Sequence, residues 1–156
     1  MVELTALAPP LRISVGVVAG IVATRGMDVV MARLPEGETP PFVASGVLTE
    51  QSPDTAPARL ASVVHHVAGW LTGPLFVTLL LFVEAVLGGA SAAAYLVTTV
   101  TLLVLMVAFF VVVVLPRPGL PRQRVSQIGR DWAISAAAYL LVLVPLVWLG
   151  STAIVG

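Results

Sequence analysis

Charged positions break this chain into long apolar stretches. Nothing charged lies between Arg59 and Glu84, between Ala85 and Pro116, or from Trp132 to Gly156. Each stretch exceeds the roughly 20 apolar residues that cross about 30 Å of hydrocarbon as a helix. Spans are therefore expected near 60–84, 91–115 and 132–154. A further apolar segment, Leu11 to Leu34, carries Arg25 and Asp28 inside it. Its spacing stays helical beyond Arg25, with Met27, Val30, Met31 and Leu34 on the pattern. A cleaved leader would use Arg12 as its basic flank and Ile13–Thr24 as its apolar core, but no clear A-x-A site follows. A span over about 12–34 is the better reading. The expected fold class is all-α integral membrane: a four-transmembrane-helix bundle, one membrane domain over residues 1–156.

Two links carry most of the polar residues, 35–59 and 116–131. The first is Pro-rich with four acids, Glu36, Glu38, Glu50 and Asp54, and reads as a mobile, solvated segment. The apolar run Phe42–Leu48 within it is expected to rest on the bilayer surface. Gly88-Gly89 leaves so little chain between the second and third spans that these must be antiparallel neighbours. Prolines 116, 118 and 121 end the third span, because proline lacks the amide that a continuing helix needs. With both links on one side, that side holds Arg33, Arg59, Arg117, Arg122, Arg124 and Arg130, against Arg12 alone on the other. The excess of Arg marks the cytoplasmic face and predicts N-out/C-out topology.

Composition agrees with lipid as the solvent. Hydrophobic residues make up 58% and charged residues 10%, where a soluble domain carries roughly 25% charged. The formal net charge is zero, from 8 basic and 8 acidic residues. That balance argues against a nucleic-acid partner, which needs a basic face. Cysteine is absent, which excludes disulfides and thiolate chemistry. The expected location is the cell membrane, multi-pass, with the bilayer and other membrane subunits or further copies of the chain as partners.

Chemistry concentrates at one depth. Arg25 and Asp28 precede Arg33 by eight and five residues, so they lie roughly 12 and 8 Å inside the link end at 1.5 Å per residue. His65 and His66 follow Arg59 by six and seven residues, roughly 9–10 Å inside the same end. A buried polar cluster of Arg25, Asp28, His65 and His66 is expected. Small-residue stripes support it: Gly16, Gly20, Thr24 and Asp28 on the first span, and Ser62, His66, Gly69 and Gly73 on the second. G-x-x-x-G spacing lets helix backbones approach closely, and face-to-face stripes would set Asp28 near His66. The cluster reads either as a structural lock or as a site for protons, an ion or an anionic head group.

Pro74 and Pro145 are expected to kink their helices in the other half and to free a carbonyl each, near Thr98, Thr99 and Thr101. Kinking, with Thr bonded back to its own helix, is favoured over a cavity. Trp132 fits an inner aromatic belt, Tyr95 an outer one, and Tyr139 neither. Metal ligation is not expected, and no cofactor is required. Haem b is a minor alternative through His65 or His66, whose neighbouring side chains point about 100° apart on a helix. No phosphate-cradling loop, H-E-x-x-H or nucleophile elbow occurs.

The segments GIVATRGMDVVM, LPEGETPPFVASGVLT and HHVAGWLTGP resemble small four-span membrane proteins of halophilic archaea, a group without assigned chemistry. The resemblance covers most of the chain and implies the four-span class alone. A non-enzymatic accessory subunit of a larger membrane assembly is the leading expectation. A small transporter or channel using the polar cluster is the alternative.

Overall fold

A computed structural model describes residues 9–117 and 119–153. The described residues form helices and turns, with no strand. Four helices are long and apolar enough to cross a membrane: Pro9–Met31 (α1), Ala58–Leu87 (α3), Ala92–Val114 and Arg122–Thr152. The third of these is α-helical over Ala92–Ala108 (α4) and continues as a π-helix over Phe109–Val114; the fourth helix (α5) extends to Ala153. The first link folds into a short helix, Thr39–Thr49 (α2).

Local chemistry sets these boundaries. Pro9 and Pro10 open α1, where a missing amide costs nothing because the first turn has no carbonyl to meet. After Met31, tight bonds from Arg33 to Val30 and from Leu34 to Met31 close the last turn. Gly37 then folds back over the helix end, where a side chain would overlap the Met31 carbonyl. Helix α3 ends on Gly88, at φ 84, and both Gly88 and Gly89 direct their amides to the Glu84 carbonyl. Ser91 starts α4 by accepting the Ala94 amide at 3.1 Å, as N-cap hydroxyls do.

Helix α1 packs between α3 and α5, while α4 lies against α3 and α5. The seam between α1 and α3 is built of glycine. A Cβ on Gly73 would overlap the Gly16 carbonyl, and one on Gly20 would sit 3.0 Å from the Trp70 carbonyl oxygen. The Gly69 position is filled in the same way by Thr24. Away from this seam, Ala19, Ala23 and Met27 of α1 join Phe76, Leu80, Leu102, Leu143 and Val147 in one core. Without water to expel between helices in lipid, such close packing is what holds them together.

The structure revises several expectations. Helix α5 begins at Arg122, well before Trp132, so much of the second link is helix. Phe42–Leu48 does not simply lie on the bilayer: α2 docks on the bundle, with Val43 buried against Phe110, Leu115 and Ile128. Trp132 is not a free belt residue, since its indole donates to the Met106 carbonyl at 3.2 Å and its ring lies 4.8 Å from Phe110. Tyr139, which fits no belt, is a buried cross-brace that donates to the Gly69 carbonyl at 2.6 Å. The kinks expected at Pro74 and Pro145 are not among these revisions, since α3 and α5 both continue through their prolines, as bent helices also do. The level near those prolines is filled by Phe76, Val77, Leu143 and Val147, all fully buried. Thr98 and Thr99 bond to their own helix at 2.8 and 2.7 Å.

Candidate functional site

The antiparallel crossing of α1 and α3 brings Asp28 opposite the start of α3. His65 Nε2 donates to Asp28 Oδ1 at 2.6 Å. His66 turns its Nδ1–H to the Ser62 carbonyl at 2.8 Å, which leaves Nε2 to accept from Arg25 at 3.3 Å. Arg25 also stands 3.6 Å from Asp28 Oδ2, and His66 Nε2 stands 3.9 Å from it. The four residues therefore meet, but Asp28 bonds His65 rather than His66. The two rings sit edge to face at 5.2 Å.

The cluster is not a sealed one. The Arg25 side chain is 69% exposed and that of Asp28 33%, against 10% for His65. The expectation of a buried Arg25 is overturned: its long side chain points out of the helix pair. Ser62 is likewise exposed and lies outside the glycine seam, serving His66 instead. The cluster lines an open recess of about 380 Å³ between α1, α2 and α3, with Glu38 and Phe42 of the first link on its rim.

Two chemistries are available here. Asp28 and His65 form a hydrogen-bonded pair of a carboxylate and an imidazole. Arg25 presents an outward guanidinium, the fork that matches oxyanions. Nucleophilic catalysis is poorly served: His66 Nδ1 carries its proton toward the Ser62 carbonyl, so Ser62 Oγ, 3.4 Å away, has no base there. The histidines do not fit axial haem ligation either. Both Nε2 atoms are already engaged, by Asp28 and by Arg25. Met27 and Met31 are packed in the core. Among the described residues no group of three or more His, Asp or Glu has the geometry to hold a metal ion.

A second polar network fastens the same end of the bundle. The Asp131 side chain is fully buried; it accepts the Glu36 amide at 2.8 Å and the Gln127 side-chain amide at 2.8 Å. Arg124 donates to Glu36 at 3.0 Å and grips Asp54 with two bonds of 3.0 and 2.9 Å. Glu36 is thus pinned and largely covered, while Asp54 stays solvated, as the link composition suggests, but is tied to Arg124. The Arg124 guanidinium holds the Asp54 carboxyl below the usual carboxylate range.

At the opposite end Arg12 and Glu84 form a two-bond pair at 2.6 and 2.8 Å, with side chains only 6% and 9% exposed. In the sequence Arg12 is the lone Arg on its side and Glu84 only ends a charge-free stretch, with nothing local to pair them. The pair has a legible signal: the register that faces Gly16 with Gly73 also brings the start of α1 to the end of α3.

No family model, curated protein or solved structure matches the chain. Its four apolar helices make it a small multi-pass membrane protein on their own evidence.

Proposed function

We propose that the protein is a non-enzymatic accessory subunit of a larger membrane assembly, with its termini outside and both links in the cytoplasm. The observation that carries this reading is the uneven packing of the bundle. Helix α1 is flanked on two sides, whereas the span formed by α4 and the π-helix presents Leu96, Val100, Val104, Leu105, Phe109 and Val112 outward along its length. Only 17% of its apolar window is buried inside the chain, half the share in α1 and α5 at 33%. A continuous apolar ridge of this kind suits packing against another helix. The ion pairs of the chain close internally, which leaves association to this ridge.

Purification in a mild detergent followed by native mass measurement tests the reading. A co-purifying membrane protein lost on Val100→Trp or Val104→Trp supports it; a lone monomer from native membranes sinks it. Orientation is checked separately by thiol labelling, because the chain has no cysteine of its own. Single cysteines at Glu50 and Gly119 should be protected from an impermeant reagent in whole cells, and one at Gly88 labelled. The opposite pattern removes the topology.

The second reading is a transporter or channel, favoured by the open recess at Asp28 and His65. The apolar filling at the level of Pro74 and Pro145 and the paired Arg12 and Glu84 beyond it stand against a conducting path in this conformation.

A further inference from the structure

The first link crosses the end of the bundle and is tied to it at few points. Helix α2 rests mainly on α3. Yet among the described residues every hydrogen bond from residues 35–56 to a spanning helix goes to α5. Those bonds reach two side chains. Asp131 accepts the Glu36 amide, and Arg124 holds Glu36 before α2 and Asp54 after it. One guanidinium thus closes the link on both flanks of its helix. The flanks differ: Glu36 is largely covered and meets buried Asp131, whereas Asp54 is exposed. Exposed ion pairs are weak and are screened by salt.

Little else holds α2 down. Helices shorter than about 12–15 residues are marginal on their own in water, and α2 has 11 residues. Val43 is the only side chain it places in a core cluster of the bundle. The position of α2 matters for what lies beside it. Pro40, Pro41 and Ala44 line a groove of about 260 Å³ between α3 and the α4/π span. Glu38, Pro41 and Phe42 line the recess beside Asp28 and His65. Each space has the link as one wall, so a movement of α2 widens both.

We propose that α2 is a hinged strap, pivoting on the contact of the Glu36 amide with Asp131, and that Arg124 is the clasp whose release lifts it from α3. Segments with few buried apolar contacts are those that open locally while the rest stays folded. The strap works within one chain and does not use the α4 ridge, so it stands apart from the accessory-subunit reading.

The test uses the full chain in detergent, with single cysteines as reporters and uncharged N-ethylmaleimide as the reagent. Ser45→Cys places a thiol on the buried side of α2, and Ser135→Cys places one at an equally buried position of α5. Both should label far more slowly than Leu48→Cys, which is exposed. Arg124→Gln should speed labelling at Ser45→Cys about tenfold, as loss of hydrogen bonds to charged groups does, and leave Ser135→Cys unchanged. Ala61→Cys, buried in the recess wall on α3, should speed in step with Ser45→Cys. Asp54→Asn should give about two- to fivefold, the share of an exposed pair. Added to Arg124→Gln it should do nothing more, because its partner is already gone. At about 1 M salt, where screening acts within about 3 Å, Ser45→Cys should label faster, and the Arg124→Gln background should not respond. Arg122→Gln, exposed on the same helix, should leave every rate as it was.

Labelling at Ser45→Cys that ignores Arg124→Gln and salt alike overturns the clasp. A parallel rise at Ser135→Cys would mean that Arg124 holds the whole bundle, and an equal rise in Arg122→Gln would mean a general charge effect; either overturns the strap. So does a Ser45→Cys thiol as fast as that of Leu48→Cys from the outset. A rise at Ser45→Cys without one at Ala61→Cys shows fraying of α2 and removes its role over the recess. Should Arg124→Gln fail to fold, Asp54→Asn and salt decide in its place.

Discussion

The two ends of the α1–α3 helix pair handle charge in opposite ways. At one end Arg12 and Glu84 are sealed against each other by two short bonds and almost no exposed surface. At the other, Asp28 is shared among His65, Arg25 and His66 in a recess that stays open. Both ends use an ionic contact between the same two helices. What differs is what each contact leaves over. The sealed pair leaves over Arg12 Nε, which has no partner among the described residues. The open cluster leaves a guanidinium facing outward. A charge that is fully answered by its partner locks a helix register, whereas one that is partly answered remains available to something else.

The contrast is most sharply broken at the sealed end. Glu84→Ala should cost about 3–5 kcal/mol, because Arg12 would be left buried without its counter-charge. Arg12→Met together with Glu84→Leu should recover much of that loss. Thermal unfolding in detergent reads both, and a single variant as stable as wild type would mean that the end is wet. Next in size is the seam that sets both contacts in register. Gly73→Ala places a methyl group against backbone, so α1 and α3 must part; about 1–3 kcal/mol is expected. Gly129→Ala is the matched control, since its nearest neighbour would be Val111 at 3.5 Å; it should be neutral or gain up to about 1 kcal/mol from helix propensity. Equal effects at the two glycines would remove the seam from the account.

The open cluster should be more forgiving. Asp28→Asn keeps the shape and loses the charge, and with a third of the side chain exposed the cost should stay below about 1.5 kcal/mol. A loss as large as that of Glu84→Ala would show that the recess is closed in lipid. The smallest effect belongs to Asp54. Its folded-state acidity is raised by Arg124, so its contribution is complete above the unfolded-chain value of about 3.9. It is lost as pH falls through the lower folded value. Asp54→Asn should therefore remove a small contribution near neutrality and flatten the acid limb, so that the two proteins converge in stability at low pH. Identical acid limbs in the two proteins would place Asp54 away from Arg124.

How much of this the sequence revealed depended on whether a residue's partner lay within its own helix face. The apolar stretch from Ala85 to Pro116 announces a span because every residue in it carries the same message. The recess was visible as a depth coincidence, since helical rise fixes how far Asp28 and His65 lie from the link end. Which histidine meets Asp28 was not visible, because that depends on a rotation of helices by less than one residue step. The early start of α5 was hidden for another reason. Its first turns, RQRVSQIGRD, look like a loop because Arg124 and Asp131 are polar, and their partners lie in the distant first link. Tyr139 was hidden in the same way: its role depends on a carbonyl of α3, which no side-chain pattern records.

The Asp131 contact with the Glu36 amide has a consequence for how the chain is made. Asp131 belongs to the last helix and Glu36 to the first link, so the amide waits for its acceptor until nearly the whole chain has been synthesised. Domains assembled strictly from the N-terminus complete each part before the next emerges. Here the first link is laid down early, but its fastening arrives with the final span. The inner face of α1 must likewise stay open for α5 until then. The bundle is thus closed by its latest-made piece, like a belt whose buckle is at the far end, and α1 and α3 are held in waiting by the glycine seam and the ionic contacts at its two ends.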